Sequence, residues 1–193
     1  MTAPLKKPAT YDDVLALPPH LTGQIVDGEL FTMPRPAIRH AHVASTLGMD
    51  VGNAFQRKRG GPGGWWILYE PELHLSHDIV VPDLAGWRIE TLPQLPPQAF
   101  FTQAPDWVCE VLSPSTAMFD RLQKKRVYAR EGVKWCWLID PVLRTLEAFR
   151  LERGLWLEIG AWGNDDTPRV EPFEAIELAL NELWLPPETP EEK

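Results

Sequence analysis

Asp83 and Glu110 are the residues around which chemistry can be argued. Asp83 follows Pro82 at or near the end of a strand. Glu110 lies inside the apolar run Trp107-Val108-Cys109-Glu110-Val111-Leu112. A carboxylate in an apolar strand is costly unless it is paired, hydrogen-bonded or bound to a metal. If the two strands are neighbours, both carboxylates reach one divalent ion. Mg²⁺ takes hard oxygen ligands at about 2.0–2.1 Å and keeps several waters, one of which can attack a phosphodiester. Such a cleavage also needs a cation for the charge that gathers on phosphate. Asp120, Lys124 and Tyr128 are spaced by four and share one helical face. The same residues also fit a plainer arrangement: a turn aspartate, an edge glutamate and a solvated Asp–Lys pair worth about 0.3–0.5 kcal/mol. His40 and His42 either touch a phosphate or sit at a helix start. Arg57-Lys58-Arg59 either meets a nucleic-acid backbone or is a solvated helix end favoured by the helix dipole.

The elements that must position these groups follow from periodicity and punctuation. Residues 10–19 read as a short helix capped by Thr10 and ended by Pro18-Pro19. Gln24 to Phe31 reads as two short strands around Asp27-Gly28. A helix runs from His40 to about Arg59, with Val43, Leu47, Val51 and Phe55 on one face, and the glycine run at 60–64 stops it. Trp65–Tyr69 is a strand, and Asp78 to Trp87 is a second. The proline-rich residues 91–105 read as a loop with a short turn of helix. Residues 106–112 form a central strand, apolar on both faces. A helix then runs from the Ser113–Thr116 turn to about Glu131, followed by a strand at 133–139. Residues 145–151 and 154–159 make a hairpin, and an amphipathic tail covers 172–185. No internal repeat, low-complexity tract or linker divides the chain, so a single α/β domain over 1–193, with its core at about 10–185, is the economical reading.

Composition narrows the classes. The 193 residues are 44% hydrophobic and 24% charged, which excludes a coiled coil, a collagen or a disordered tail. The longest apolar stretches fall far short of the roughly 20 residues of a spanning helix, and the N-terminus lacks a signal-peptide core, so a cytoplasmic protein with no membrane partner is expected. Cys109 and Cys136, each in an apolar run, read as buried reduced thiols. The net charge of −8 is carried by the acidic segment 151–193. It argues against strong nonspecific nucleic-acid binding by the whole molecule, although residues 121–134 hold six basic groups that can form a local face. The nine Trp belong mostly in the core, with Trp87, next to Asp83, a candidate stacking platform.

These stretches together resemble the Uma-type family of restriction-endonuclease-like proteins, within the PD-(D/E)XK nuclease superfamily. The resemblance rests on Val26-Asp27-Gly28-Glu29-Leu30, His40, Val81-Pro82-Asp83-Leu84, and Glu110-Val111-Leu112-Ser113-Pro114-Ser115-Thr116. It continues through Asp120, Lys124, Tyr128, Gly132-Val133 and Trp137-Leu138-Ile139-Asp140-Pro141. It implies a mixed central sheet flanked by helices and a Mg²⁺ or Mn²⁺ site that hydrolyses nucleic acid, DNA first. Asp83 and Glu110 would hold the metal, joined by the backbone carbonyl of Val111. The parent superfamily places its lysine two residues after the acid, where this chain has Leu112. The resemblance therefore points to Lys124 on the next helix, with Lys125, about 100° round the helix, as the fallback. Gln24 stands where relatives often have Glu, and Trp135-Cys136 where they often have Glu-Tyr. Gln24, His40, Asp120, Tyr128 and Lys125 are accessory candidates. A homodimer is expected, since paired sites suit double-strand cutting. The competing reading is a catalytically inactive nuclease-fold module used for binding or assembly.

Overall fold

Thr10 opens the first element by capping. Asp13 accepts hydrogen bonds from its amide at 2.7 Å and its hydroxyl at 2.9 Å, starting α1 (Tyr11–Leu15). The computed structural model describes residues 7–186. Residues 1–6 and 187–193, which the single-domain reading takes in, lie outside the described residues. β1 (Leu21–Val26) and β2 (Glu29–Pro34) pair around Asp27-Gly28, both at positive φ as a two-residue hairpin turn requires. α2 (Ile38–Val51) continues as a π-helical turn at Gly52–Gln56. β3 (Trp65–Tyr69) follows, then β4 (Glu72–Leu75), β5 (Asp78–Val80), β6 (Leu84–Arg88), β7 (Phe100–Phe101) and β8 (Trp107–Val111). α3 (Ala117–Phe119), a π-helical turn at Asp120–Lys124 and α4 (Lys125–Arg130) lead to β9 (Trp135–Asp140). The hairpin of β10 (Thr145–Glu152) and β11 (Leu155–Gly163) completes the strands, and a 3₁₀ turn spans Leu180–Leu183.

The strands form two mixed sheets, ordered β2-β1-β5-β4-β7 and β11-β10-β9-β8-β6-β3. β8 is central in the second, parallel to β9 and antiparallel to β6. Both of its faces are buried. Trp107, Cys109 and Val111 join one core with Leu47 and Val51 of α2, Phe173, and Leu180 and Trp184 of the C-terminal segment. Val108 and Leu112 join the other, with Val80, Leu73 and the helical residues Val127 and Tyr128. Strand alternation puts Glu110 on this second side, facing the helix. Cys109 and Cys136 are free and buried, and no helix among the described residues is long and apolar enough to cross a membrane.

Several expectations change. Asp78 to Trp87 is two strands in different sheets, because Pro82 has no amide hydrogen for a ladder and the chain leaves the first sheet there. β4 lay unread in a short Glu-Leu-His-Leu alternation. Residues 91–105 hold no helix, and Phe100–Phe101 pairs in parallel with β4 instead. Trp87 is not a stacking platform: it is fully buried, stacks on Phe101 at 4.4 Å and donates to the Gln103 carbonyl. The six basic groups of residues 121–134 are each engaged within the protein. Arg121 binds Glu147, Lys124 binds Glu110, Arg126 binds Asp27, Arg130 binds Asp78, Lys134 binds Asp106, and Lys125 lies over the Phe149 ring.

Candidate functional site

Val81, Pro82 and Asp83 carry the chain from the first sheet to the second, so their backbone groups lose ladder partners and must find others. Side chains supply those of Val81. The Gln24 Oε1 accepts from the Val81 amide at 2.9 Å, and the Lys124 Nζ donates to the Val81 carbonyl at 2.9 Å. The Glu70 amide donates to the Asp83 carbonyl at 3.0 Å. The Asp83 side chain is itself pinned: its Oδ2 accepts from the Val111 amide at 2.7 Å, and its Oδ1 lies 3.1 Å from the His40 Nε2. His40 sits in the first turn of α2.

Glu110 is 1% exposed and Lys124 2%. Lys124 donates to the Glu110 Oε2 at 2.7 Å and lies 3.5 Å from the Asp120 Oδ1. The Tyr128 hydroxyl donates to the Glu110 Oε1 at 2.5 Å. Asp120, Lys124 and Tyr128 thus act from one helical face. The helix passes through a π turn at Asp120–Lys124, a distortion frequent at functional sites.

The electrostatics follow from burial. Desolvation pushes the Glu110 carboxyl up to about 8, against the pull of Lys124, and the charges of Asp120 and Asp83 add to the rise. Burial also raises Asp120. For Lys124 desolvation acts downward, but the carboxylates of Glu110, Asp120 and Asp83 outweigh it and keep the amine protonated. His40 behaves alike: burial works against its charge, while the hydrogen bond and charge of Asp83, with Asp120 and Glu70, lift it above its ordinary value.

These groups line a cavity of about 340 Å³. Gln24, Glu110, Asp120 and Lys124 form its buried floor. Asp83 and His40 stand above them, and Arg35, Glu70 and Ser115 lie exposed at the rim. The two carboxylates therefore open into one space rather than onto opposite faces of the sheet. Lys125 does not reach it, being engaged with Phe149, and Arg57-Lys58-Arg59 is an exposed run that is no part of the lining. Glu70 and Arg35 were not singled out from sequence. Glu70 follows an apolar strand directly, as an acid at a strand end can, but Arg35 in its proline loop carries no such signal. No three His, Cys, Asp or Glu side chains stand close enough to hold a metal among the described residues. Asp83 and Glu110 line the cavity and Val111 is not among its lining residues; two carboxylates are enough to suit Mg²⁺, which binds through one or two carboxylates and keeps waters for the rest. Burial is the main reason that Glu110 is raised, and a divalent cation bound beside it would favour the ionised form.

The family model named Uma2 and described as "putative restriction endonuclease" matches residues 11–181. No curated protein matches significantly. Among solved structures, the chain is similar to a "putative nuclease belonging to DUF820" from Anabaena variabilis. The identity is 22%, the match covers 91% of this chain and 97% of that one, and the TM-score is 0.73.

Proposed function

The chain belongs to the Uma2 family of putative restriction endonucleases, and from that premise we propose that it hydrolyses phosphodiester bonds in nucleic acid, most readily DNA, with Mg²⁺ or Mn²⁺. One observation carries the reading: Asp83, Glu110 and Lys124, from three separate elements, converge on one cavity at the seam of the two sheets. Asp83 and Glu110 would hold the ion. When bound, it supplies an activated water and neutralises phosphate charge. The protein residues do the rest. Tyr128 and Lys124 fix the Glu110 carboxylate through its two oxygens, and His40 with the Val111 amide fixes Asp83. The Lys124 contact with Asp120, at 3.5 Å, is the loosest of its three. It is the one this amine exchanges for a phosphate oxygen or the attacking water, where its positive charge stabilises the transition state.

The test is cleavage of circular single-stranded DNA and nicking of supercoiled plasmid in Mn²⁺ by wild type, Asp83→Asn and Lys124→Ala, with divalent titration by calorimetry on wild type, Asp83→Ala and Glu110→Ala. Folding of each is checked by circular dichroism. Metal-dependent nicking that falls by about 100-fold or more in the variants is expected. Equal divalent affinity in all three proteins ends the metal-site reading. Absence of cleavage on several DNA and RNA forms leaves the inactive binding module. Sedimentation tests the expected homodimer.

A further inference from the structure

The site lies at the bottom of a cleft, and the cleft restricts what can reach it. One lip is the exposed Arg35–Ala37 loop between β2 and α2, and the other is the half-exposed Ser113–Thr116 loop between β8 and α3, both above a buried floor. A volume of about 340 Å³ stands at the low end of the roughly 300–1,000 Å³ of small-ligand pockets. That is room for nucleotide-sized groups of one strand, so a duplex would have to stay outside the cleft.

Charge gives the same answer by a separate route. Gripping a duplex takes several basic side chains against phosphates, yet the basic groups of residues 121–134 are all engaged within the protein, the exposed Arg57-Lys58-Arg59 run is no part of the cleft lining, and the chain carries −8. Of the cations lining the cleft, Lys124 is bound to Glu110 and His40 to Asp83. Arg35 alone makes no ion pair among the described residues. It is exposed at the rim between Pro34 and Pro36, whose rings fix the backbone on both sides of it. Across the cleft, the Ser113 hydroxyl is shared with Ser115 at 3.0 Å and Thr116 at 2.9 Å, a group of donors of the kind that contact phosphate oxygens.

Building on the nuclease reading above, we propose that the cleft takes single-stranded DNA, with Arg35 holding the phosphate next to the one that lies over Asp83 and Glu110. Arg35 is a positioning and specificity residue.

Fluorescence anisotropy with labelled dT12 and a 12-base-pair duplex, in calcium buffer over a range of salt, tests this. The full chain is compared with Arg35→Ala and Arg35→Lys. The single strand is expected to bind more tightly. Arg35→Ala should weaken it by about tenfold and reduce the slope of log affinity against log salt by about 0.7, while Arg35→Lys keeps the slope. Equal or tighter duplex binding, an Arg35→Ala protein with unchanged affinity and slope, or no binding of either probe overturns the proposal. Cleavage separates this from the underlying reading. Asp83-dependent hydrolysis with no effect of Arg35→Ala sinks the role of Arg35 alone. Arg35-dependent binding without metal-dependent hydrolysis sinks the nuclease reading and leaves the single-strand cleft.

Discussion

Glu110 is a carboxyl in a strand of five buried residues, and its environment sets a pH dependence. Its folded value is about 8 against an ordinary 4.5, with burial the main cause. Below 4.5 both folded and unfolded chains hold the proton. Between 4.5 and 8 the unfolded chain releases it while the folded chain keeps it, so the contribution of this group is full in acid and is lost as pH rises through 8. Urea unfolding of metal-free protein should show wild type losing stability from pH 5.5 to 8.5 relative to Glu110→Gln, whose neutral side chain does not titrate. Because a ligating carboxylate must be ionised, Mg²⁺ affinity should climb over the same interval, by at most about tenfold per unit. That the acid at 110 would need a partner was legible in the sequence, since an apolar strand does not carry one alone. That its partners are Lys124 and Tyr128 was only half legible. The four-residue spacing put them on one face, but which way the face turned depended on packing no local pattern records.

At the scale of elements, punctuation was read well and sheet membership poorly. Asp27-Gly28 specifies its hairpin locally, and so does the turn at Arg153-Gly154, both residues of which have positive φ. The break at Pro82 was visible as a proline, but its consequence, a change of sheet, depends on long-range pairing of Ile25 with Ile79 and of Leu84 with Cys109. β4, four residues long, is too short to stand out by periodicity. The C-terminal segment read as amphipathic, and it is a wall of the core. Phe173 is fully buried with its ring against Phe55, Trp65, Trp107 and Trp137. Phe173→Ala should cost about 3–5 kcal/mol, read as a lower urea midpoint. It lies in the core opposite Tyr128, so the surviving folded protein should keep its divalent affinity.

For the whole molecule, the seam between the sheets is where stability and site coincide. The lone backbone groups of the crossing are satisfied by Gln24, Lys124 and the Glu70 amide, and the Asp83 carboxylate in turn accepts from the Val111 amide, so the contacts that close the seam are the contacts that build the cleft floor. Many proteins keep their working parts in segments that open locally at little cost. Here the amide protons of Val81 and Val111 should exchange with deuterium only when the entire chain unfolds, at the global protection limit. A floor so firmly fastened leaves motion to the lips, and any adaptation to different partners must be sought in the proline loop and the serine loop above it.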